Sequence, residues 1–194
     1  MTLKCLLYTW EDIVKLCEEL ARKIKESGYR PDVIVAVARG GWVPARILCD
    51  HLDVRELYSV KTEHWGVVAT PTGEAKITQP LNVSLKGKRV LIVDDVADTG
   101  DTIKVVAEHV KSLSPAEVKI AVIDYKKTSK FEPHYYAALM EEWRWIVYPW
   151  SIREDLKDLL KRREVKNVEE ALDYLRSLDL EVDRKLVEDV ITDC

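Results

Sequence analysis

The stretch Val90-Leu-Ile-Val-Asp-Asp-Val-Ala-Asp-Thr-Gly-Asp-Thr102 constrains the fold more than any other part of the chain. Its first four residues, apolar and rich in β-branched side chains, read as a strand buried on both faces, the pattern of a parallel sheet covered by helices. Asp94 and Asp95 stand where that strand should end. Residues 97–102 form a short turn leading into an apolar-periodic helix with Ile103, Val106, Ala107, Val110 and Leu113 on one face. Such a turn directs backbone N–H groups, hydroxyls and a helix N-terminus into one small volume, which suits a phosphate dianion. Carboxylates able to grip hydroxyls or a metal therefore stand beside a phosphate cradle. A phosphorylated sugar carries both features.

The remainder of the chain alternates strands and helices as far as residue 150. Thr9 and Asp12 make a capping-box start to a helix that runs to Ser27 and stops at Gly28. After Pro31, residues 32–38 read as a buried strand. Arg39-Gly40-Gly41 makes a turn, and Pro44 sits near the first turn of a helix reaching about Leu52. Further strands are expected at 56–62, 118–123, 135–139 and 145–148. Between 63 and 82 the periodicity fails, and Thr70-Pro-Thr-Gly73 and Gln79-Pro80 indicate a long loop or loose hairpin, the natural place for a lid.

Beyond Ser151 the pattern is wholly helical, with capping boxes expected at Ser151 to Glu154 and at Asn167 to Glu170. A third amphipathic stretch holds Leu186, Val187, Val190 and Ile191. The fold class is α/β, a doubly wound and mainly parallel sheet with a C-terminal helical appendage. The domain boundaries fall at 1–150 and 151–194.

Composition narrows the chemistry. The net charge of −4 over 194 residues implies no nucleic-acid partner. No apolar stretch approaches membrane-spanning length and no leader pattern opens the chain, so a cytoplasmic protein is expected. Cys5, Cys17, Cys49 and Cys194 are scattered without a Cys-x-x-Cys pair, and Cys17 shares an apolar face with Ile13, Leu16, Leu20 and Ile24. His51, His64, His109 and His134 show no metal-ligand spacing. Neither thiol nor zinc chemistry is supported.

The 90–102 run resembles the phosphoribosyl-pyrophosphate (PRPP) motif of the type I phosphoribosyltransferases. It is neither a Walker A loop nor a dinucleotide fingerprint, having no Gly-Lys-Ser/Thr and a single glycine. Ala38-Arg39-Gly40-Gly41 resembles the pyrophosphate loop of the xanthine-guanine (6-oxopurine) type, where Arg39 adds fixed positive charge. Trp145-Ile-Val-Tyr-Pro-Trp150 resembles the family segment Trp-Ile-x-x-Pro-Trp, whose first tryptophan stacks on the purine. Lys126 falls where family members place a lysine that donates to the purine O6, and a shift of one residue in register would put the adjacent Lys127 there instead. The resemblance covers about residues 9–150.

What the resemblance implies is a Mg²⁺-dependent purine phosphoribosyltransferase of the salvage pathway, acting on PRPP and a purine base. Asp94 and Asp95 would hold the ribose hydroxyls, with Mg²⁺ reached through those hydroxyls or water. Ala97, Asp98, Thr99, Gly100, Asp101 and Thr102 would wrap the 5-phosphate, and Arg39, Gly40 and Gly41 the pyrophosphate. Val96, Lys126, Trp145 and Ile146 would contact the purine, and Asp98 would take the N7 proton. A 6-oxopurine (hypoxanthine, guanine or xanthine) is the expected base, with adenine or a non-catalytic PRPP-binding regulator as alternatives. In the regulator, the basic residues Lys157, Lys161, Arg162, Arg163 and Lys166 would contact nucleic acid; otherwise they are the solvated face of a helix. A homodimer or higher homo-oligomer is expected. The lid start, Lys61-Thr62-Glu63-His64-Trp65, lacks the Ser-Tyr pair of many relatives, and the short xanthine-guanine enzymes end soon after the Pro-Trp segment.

Overall fold

Two apolar runs without polar interruption become adjoining parallel strands at the middle of a six-stranded sheet. The computed structural model describes residues 3–64 and 75–193. In chain order the elements are β1 (Cys5–Leu7), α1 (Trp10–Glu26), β2 (Val33–Ala38), α2 (Trp42–Leu52), β3 (Glu56–His64), β4 (Ala75–Gln79), β5 (Arg89–Ala97), α3 (Asp101–Ser112), β6 (Glu117–Lys126), β7 (Tyr135–Met140), β8 (Trp145–Val147), α4 (Ile152–Arg163), α5 (Val168–Ser177) and α6 (Arg184–Thr192). The large sheet has the order β4-β3-β2-β5-β6-β7. Every neighbouring pair in it is parallel except β3 with β4.

The chain forms two compact units, Ile13–Trp143 and a smaller one made of Met1–Asp12 with Arg144–Cys194. In the larger unit, side-chain alternation sorts the central strands onto two cores. Val33, Val35, Val37 and Ile92 pack with Ile103, Val106 and Val110 of α3. Ile34, Ala36, Leu91 and Val93 face the other way, against Leu20 and Ile24 of α1 and Ala45 and Leu48 of α2. Both faces of the sheet are therefore covered, which is why its strands read as unbroken apolar runs. Cys17 is buried within α1.

The strand order decides where a ligand can sit. From β2 the chain moves outward to β3, and from β5 it moves outward the other way to β6 and β7, so the order reverses between β2 and β5. Crevices outside the carboxyl ends of strands at such a reversal are the binding places of open α/β sheets. Pairing of β2 with β5 runs only from Val33/Val90 to Ala36/Val93, whereas β6 follows β5 as far as Ala97. Asp94 and Asp95 thus lie just past the point where β5 loses one neighbour.

In the smaller unit β1 pairs in parallel with β8, Cys5 opposite Trp145 and Leu7 opposite Val147. Cys5 and Val147 join Leu156, Leu159 and Leu160 of α4, Leu172 and Leu175 of α5, and Val187 and Val190 of α6 in one apolar cluster. This pairing places residues 145–150 with the helices, whereas the sequence pattern draws its boundary after residue 150. A three-residue strand at Cys5–Leu7 is too short to show periodicity.

The helix caps divide. At α1, Thr9 N and Oγ1 donate to Asp12 Oδ2 at 2.8 and 2.6 Å while Asp12 N returns a bond to Thr9 Oγ1. At α5, Glu170 N donates to Asn167 Oδ1 at 3.0 Å. The box expected between Ser151 and Glu154 does not form. Ser151 Oγ donates instead to Asp155 Oδ2 at 2.7 Å, and Trp145 Nε1 donates to Asp155 Oδ1 at 3.0 Å, so a half-buried carboxylate with two side-chain donors outcompetes the cap. The region expected as a loop or loose hairpin holds the last two residues of β3 and the whole of β4, which pair antiparallel; residues 65–74 of the expected lid lie outside the described residues. Among the described residues no helix is long and apolar enough to cross a membrane.

Leu175 is fully buried at the centre of the helical cluster. Leu175→Ala is expected to lower the stability of the smaller unit by about 2–5 kcal/mol, measured as a fall in the urea midpoint by circular dichroism.

Candidate active site

Strand β5 runs four residues past its apolar stretch, and that extension builds the floor of the site. Beyond Val93 the side chains become Asp94, which is buried, then the half-buried Asp95 and Val96. Asp94 Oδ1 accepts from Asp95 N at 2.9 Å, and Asp95 Oδ1 accepts from Val96 N at 2.8 Å, which fixes both carboxylates against their own strand. Burial, then the neighbouring charge of Asp95, holds the Asp94 carboxyl well above the usual range. Burial also pushes Asp95 up to about 6, with Asp124 of β6 adding to the rise. Asp124 is itself buried, opposite Val96 in the neighbouring strand. Asp94 and Asp95 thus form a poorly solvated acidic pair, on which the charge of Asp124 acts from the neighbouring strand.

After Ala97, which is buried at the end of β5, the chain turns through Asp98-Thr99-Gly100 into α3. Thr99 Oγ1 donates to Asp101 Oδ2 at 2.9 Å and accepts from Asp101 N, which tightens the turn. Gly100 is the N-cap at φ +88°, in the left-handed region that favours glycine, and it brings no side-chain oxygen to the first N–H groups of the helix. A Cβ there would stand 2.7 Å from Phe131 Cβ. The segment after β6 closes over this turn, with Lys130 N donating to Thr99 O at 3.0 Å.

The Arg39-Gly40-Gly41 turn meets the acidic pair from β2, and the Ala38–Arg39 peptide is cis. A Cβ on Gly40 would lie 2.0 Å from Asp95 Oδ2, and one on Gly41 would lie 2.4 Å from the Val93 carbonyl oxygen. The two glycines therefore let this turn lie directly on the end of β5. A cleft of about 230 Å³ opens here, lined by Ala38, Asp94, Asp95, Val96, residues 97–100, Thr102 and Thr62 of β3.

Beside the cleft, Lys126 ends β6 and is only 3% exposed, with Nζ 2.8 Å from Asp98 Oδ2. Lys127 points away to Glu141 on the exposed surface. Of the two lysines, Lys126 is the one turned to the site. Trp143, just past β7, donates its indole Nε1–H to Asp98 Oδ1 at 3.1 Å, and Lys126 Nζ stands 4.5 Å from the centre of its ring. Trp145 and Ile146 belong to the smaller unit, where Trp145 is tied to Asp155.

Of the site residues expected from sequence, Asp94, Asp95, Val96, residues 97–100 and Thr102 line this one cleft, Gly40 and Gly41 abut it, and Lys126 reaches it through Asp98. The sequence pattern did not single out Asp124, Thr62 or Trp143. The signal for Trp143 was present in Glu142-Trp-Arg-Trp145, where two tryptophans flank one arginine.

Two outcomes follow from the crowded carboxylates. A carboxyl whose folded pKa is raised contributes stability that is full below its unfolded pKa near 4 and is lost as pH rises through the folded value, here about 6 for Asp95. In the absence of ligand and divalent cation, Asp95→Asn should stabilise the protein by about 1–2 kcal/mol at pH 8 and by little at pH 4, read from urea midpoints at the two pH values. Gly40→Ala should cost about 1–3 kcal/mol through overpacking, and most of that cost should vanish in an Asp95→Ala background, a double-mutant cycle measured in the same way.

Comparison with known proteins agrees with this geometry. The family profile of the phosphoribosyl transferase domain matches residues 6–157. A hypoxanthine-guanine phosphoribosyltransferase of Schizosaccharomyces pombe is 32% identical over 77% of this chain and 90% of its own. A xanthine-guanine phosphoribosyltransferase of Gluconobacter oxydans is 28% identical, over 74% of this chain and 82% of its own. The crystal structure of a purine phosphoribosyltransferase from Pyrococcus horikoshii superposes with a TM-score of 0.66 at 40% identity, covering 75% of this chain and 93% of that one. With the acidic strand end, the turn into α3 and the glycine turn all in place around one cleft, this chain belongs to the phosphoribosyltransferase family.

Proposed function

We propose that the protein transfers the 5-phosphoribosyl group of PRPP to N9 of a 6-oxopurine, releasing pyrophosphate and a nucleoside monophosphate, as a purine-salvage enzyme. The observation that carries this reading is the pairing of Lys126 with Asp98 at the mouth of the PRPP cleft. A 6-oxopurine presents an acceptor at O6 and a proton at N7 along one edge. Lys126 supplies a donor for the first and Asp98 an acceptor for the second, and the two groups are adjacent. Adenine presents an amino donor at C6, which leaves the Lys126 ammonium facing another donor and is disfavoured by the same logic that lets polar pockets reject mismatched edges. The family relatives named above as acting on hypoxanthine, guanine and xanthine support the same choice.

The residues take the following parts. Asp94 and Asp95 accept the ribose hydroxyls, and those bonds favour the charged carboxylates that burial disfavours. The segment 97–102, at the positive end of α3, wraps the 5-phosphate. The Arg39 turn, brought against Asp95 by Gly40, receives the pyrophosphate. Asp98 holds the N7 proton and stabilises positive charge as it develops on the ring. The oxygen-only donor set suits Mg²⁺, which prefers one or two carboxylates together with substrate phosphate oxygens. When bound, the ion neutralises the leaving pyrophosphate. Among the described residues no cluster of three His, Cys, Asp or Glu side chains forms a metal cage, so substrate oxygens and water would complete its shell. The proposal carries with it a homo-oligomer and a cytoplasmic location.

The test is pyrophosphate release from PRPP and Mg²⁺ with hypoxanthine, guanine, xanthine and adenine supplied separately. Turnover with the oxopurines is expected; turnover with adenine alone would overturn the base assignment, and silence with all four would overturn the enzyme. Asp98→Asn should lower kcat about 10²-fold or more with little change in PRPP affinity. Asp95→Asn should weaken PRPP about tenfold or more, and equal affinity in the variant and the wild type would remove the ribose assignment.

A further inference from the structure

Both groups that read the edge of the base are already engaged, and the partner they share is an aromatic bicycle. Asp98 Oδ1 accepts the indole N–H of Trp143 while Asp98 Oδ2 accepts from Lys126 Nζ. Lys126 in turn stands over the Trp143 ring at 4.5 Å. Indole, like purine, fuses a six-membered to a five-membered ring and carries an N–H in its five-membered ring. That N–H lies where the N7 proton of a 6-oxopurine would be received, and the indole π-face covers the ammonium that O6 would reach. All three residues belong to the larger unit, and Trp143 remains 43% exposed, so the side chain is held at the mouth without being locked into a core.

We propose that Trp143 is a self-occupant of the base site, an indole that takes the place of the purine edge in the free enzyme and must leave before a base can bind. This rests on the reading of Asp98 and Lys126 as the base-recognition pair. A tryptophan serving as a stacking platform offers its face to the base. Trp143 instead aims its N–H edge at the carboxylate that is to receive the base, which is the geometry of a competitor. The indole therefore sets the affinity for every base by a common factor, because its removal precedes any reading of the base. The apparent dissociation constant rises in inverse proportion to the fraction of molecules in which the indole has left.

The consequence separates a competitor from a platform by sign. Trp143→Ala should lower KM for hypoxanthine, guanine and xanthine by a similar factor of about five to ten, the scale of one hydrogen bond and one cation–π contact, with KM for PRPP unmoved. Trp143→Phe, which keeps a ring over Lys126 and deletes the N–H, should fall between. A second readout is the indole N–H resonance of Trp143 in protein labelled with ¹⁵N-tryptophan, assigned by its loss in Trp143→Phe. Saturating inosine monophosphate should move that resonance away from its ligand-free position toward that of a solvent-exposed indole.

A raised base KM in Trp143→Ala, or a resonance unmoved by saturating nucleotide, would overturn the role given to Trp143. Either result could be obtained with an enzyme fully active on 6-oxopurines, so it would leave the assigned function intact. Absence of turnover in the unmodified protein would remove that function instead.

Discussion

Beyond Val93, β5 keeps β6 on one side and loses β2 on the other, and the chemistry of the cleft depends on that one-sided edge. A strand paired on both sides has its backbone groups satisfied and its neighbours close; a strand released on one side opens a crevice with a rigid floor. Gly41 lies at the point of parting, where a Cβ would meet the carbonyl oxygens of both Val93 and Val37. Gly40 lies one residue earlier, in van der Waals contact with the Asp95 carboxylate. The loop proposed for pyrophosphate and the acids proposed for ribose are therefore mechanically one object. Gly41 sets their spacing through backbone packing, and Gly40 adds direct contact with the Asp95 side chain.

That arrangement has an electrostatic cost in the free protein. Asp94 and Asp95 sit side by side with little access to solvent, and burial first of all lifts both above ordinary carboxylates. A site optimised for stability would not be built this way. In the proposed function, ribose hydroxyls and a divalent cation would offset that cost. At the mouth, Asp98 and Lys126 form an ion pair, and Trp143 touches both members of it. Lys126 is almost wholly buried, and its ammonium is held there by the Asp98 carboxylate.

Much of this was legible in the sequence because it rests on local signals. The 90–93 run, the acidic pair and the single glycine before an amphipathic helix fixed strand, turn and helix in order, and the structure places them so. The choice between Lys126 and Lys127 was not legible, since a one-residue shift at the end of a strand reverses the face; the alternation along β6 settles it by burying Lys126. The short strand β1 escaped because three residues carry no period, and with it went the placement of residues 145–150 among the C-terminal helices. Ser151 looked like an N-cap by type and spacing, but Asp155 draws in both the Ser151 hydroxyl, four residues away, and the Trp145 indole, ten residues away, a partnership that spacing alone does not reveal. Trp143 escaped for a related reason: it and Trp145 lie two apart, and only three-dimensional placement shows that the first of them meets Asp98.

The most direct test of the account is a crystal structure of the protein with inosine monophosphate and Mg²⁺. The account places the 5-phosphate in the turn formed by residues 97–102, the ribose hydroxyls on Asp94 and Asp95, and the base edge on Asp98 and Lys126 with Trp143 displaced. A phosphate lodged on the Arg39 turn with the base directed away from Lys126 would contradict it.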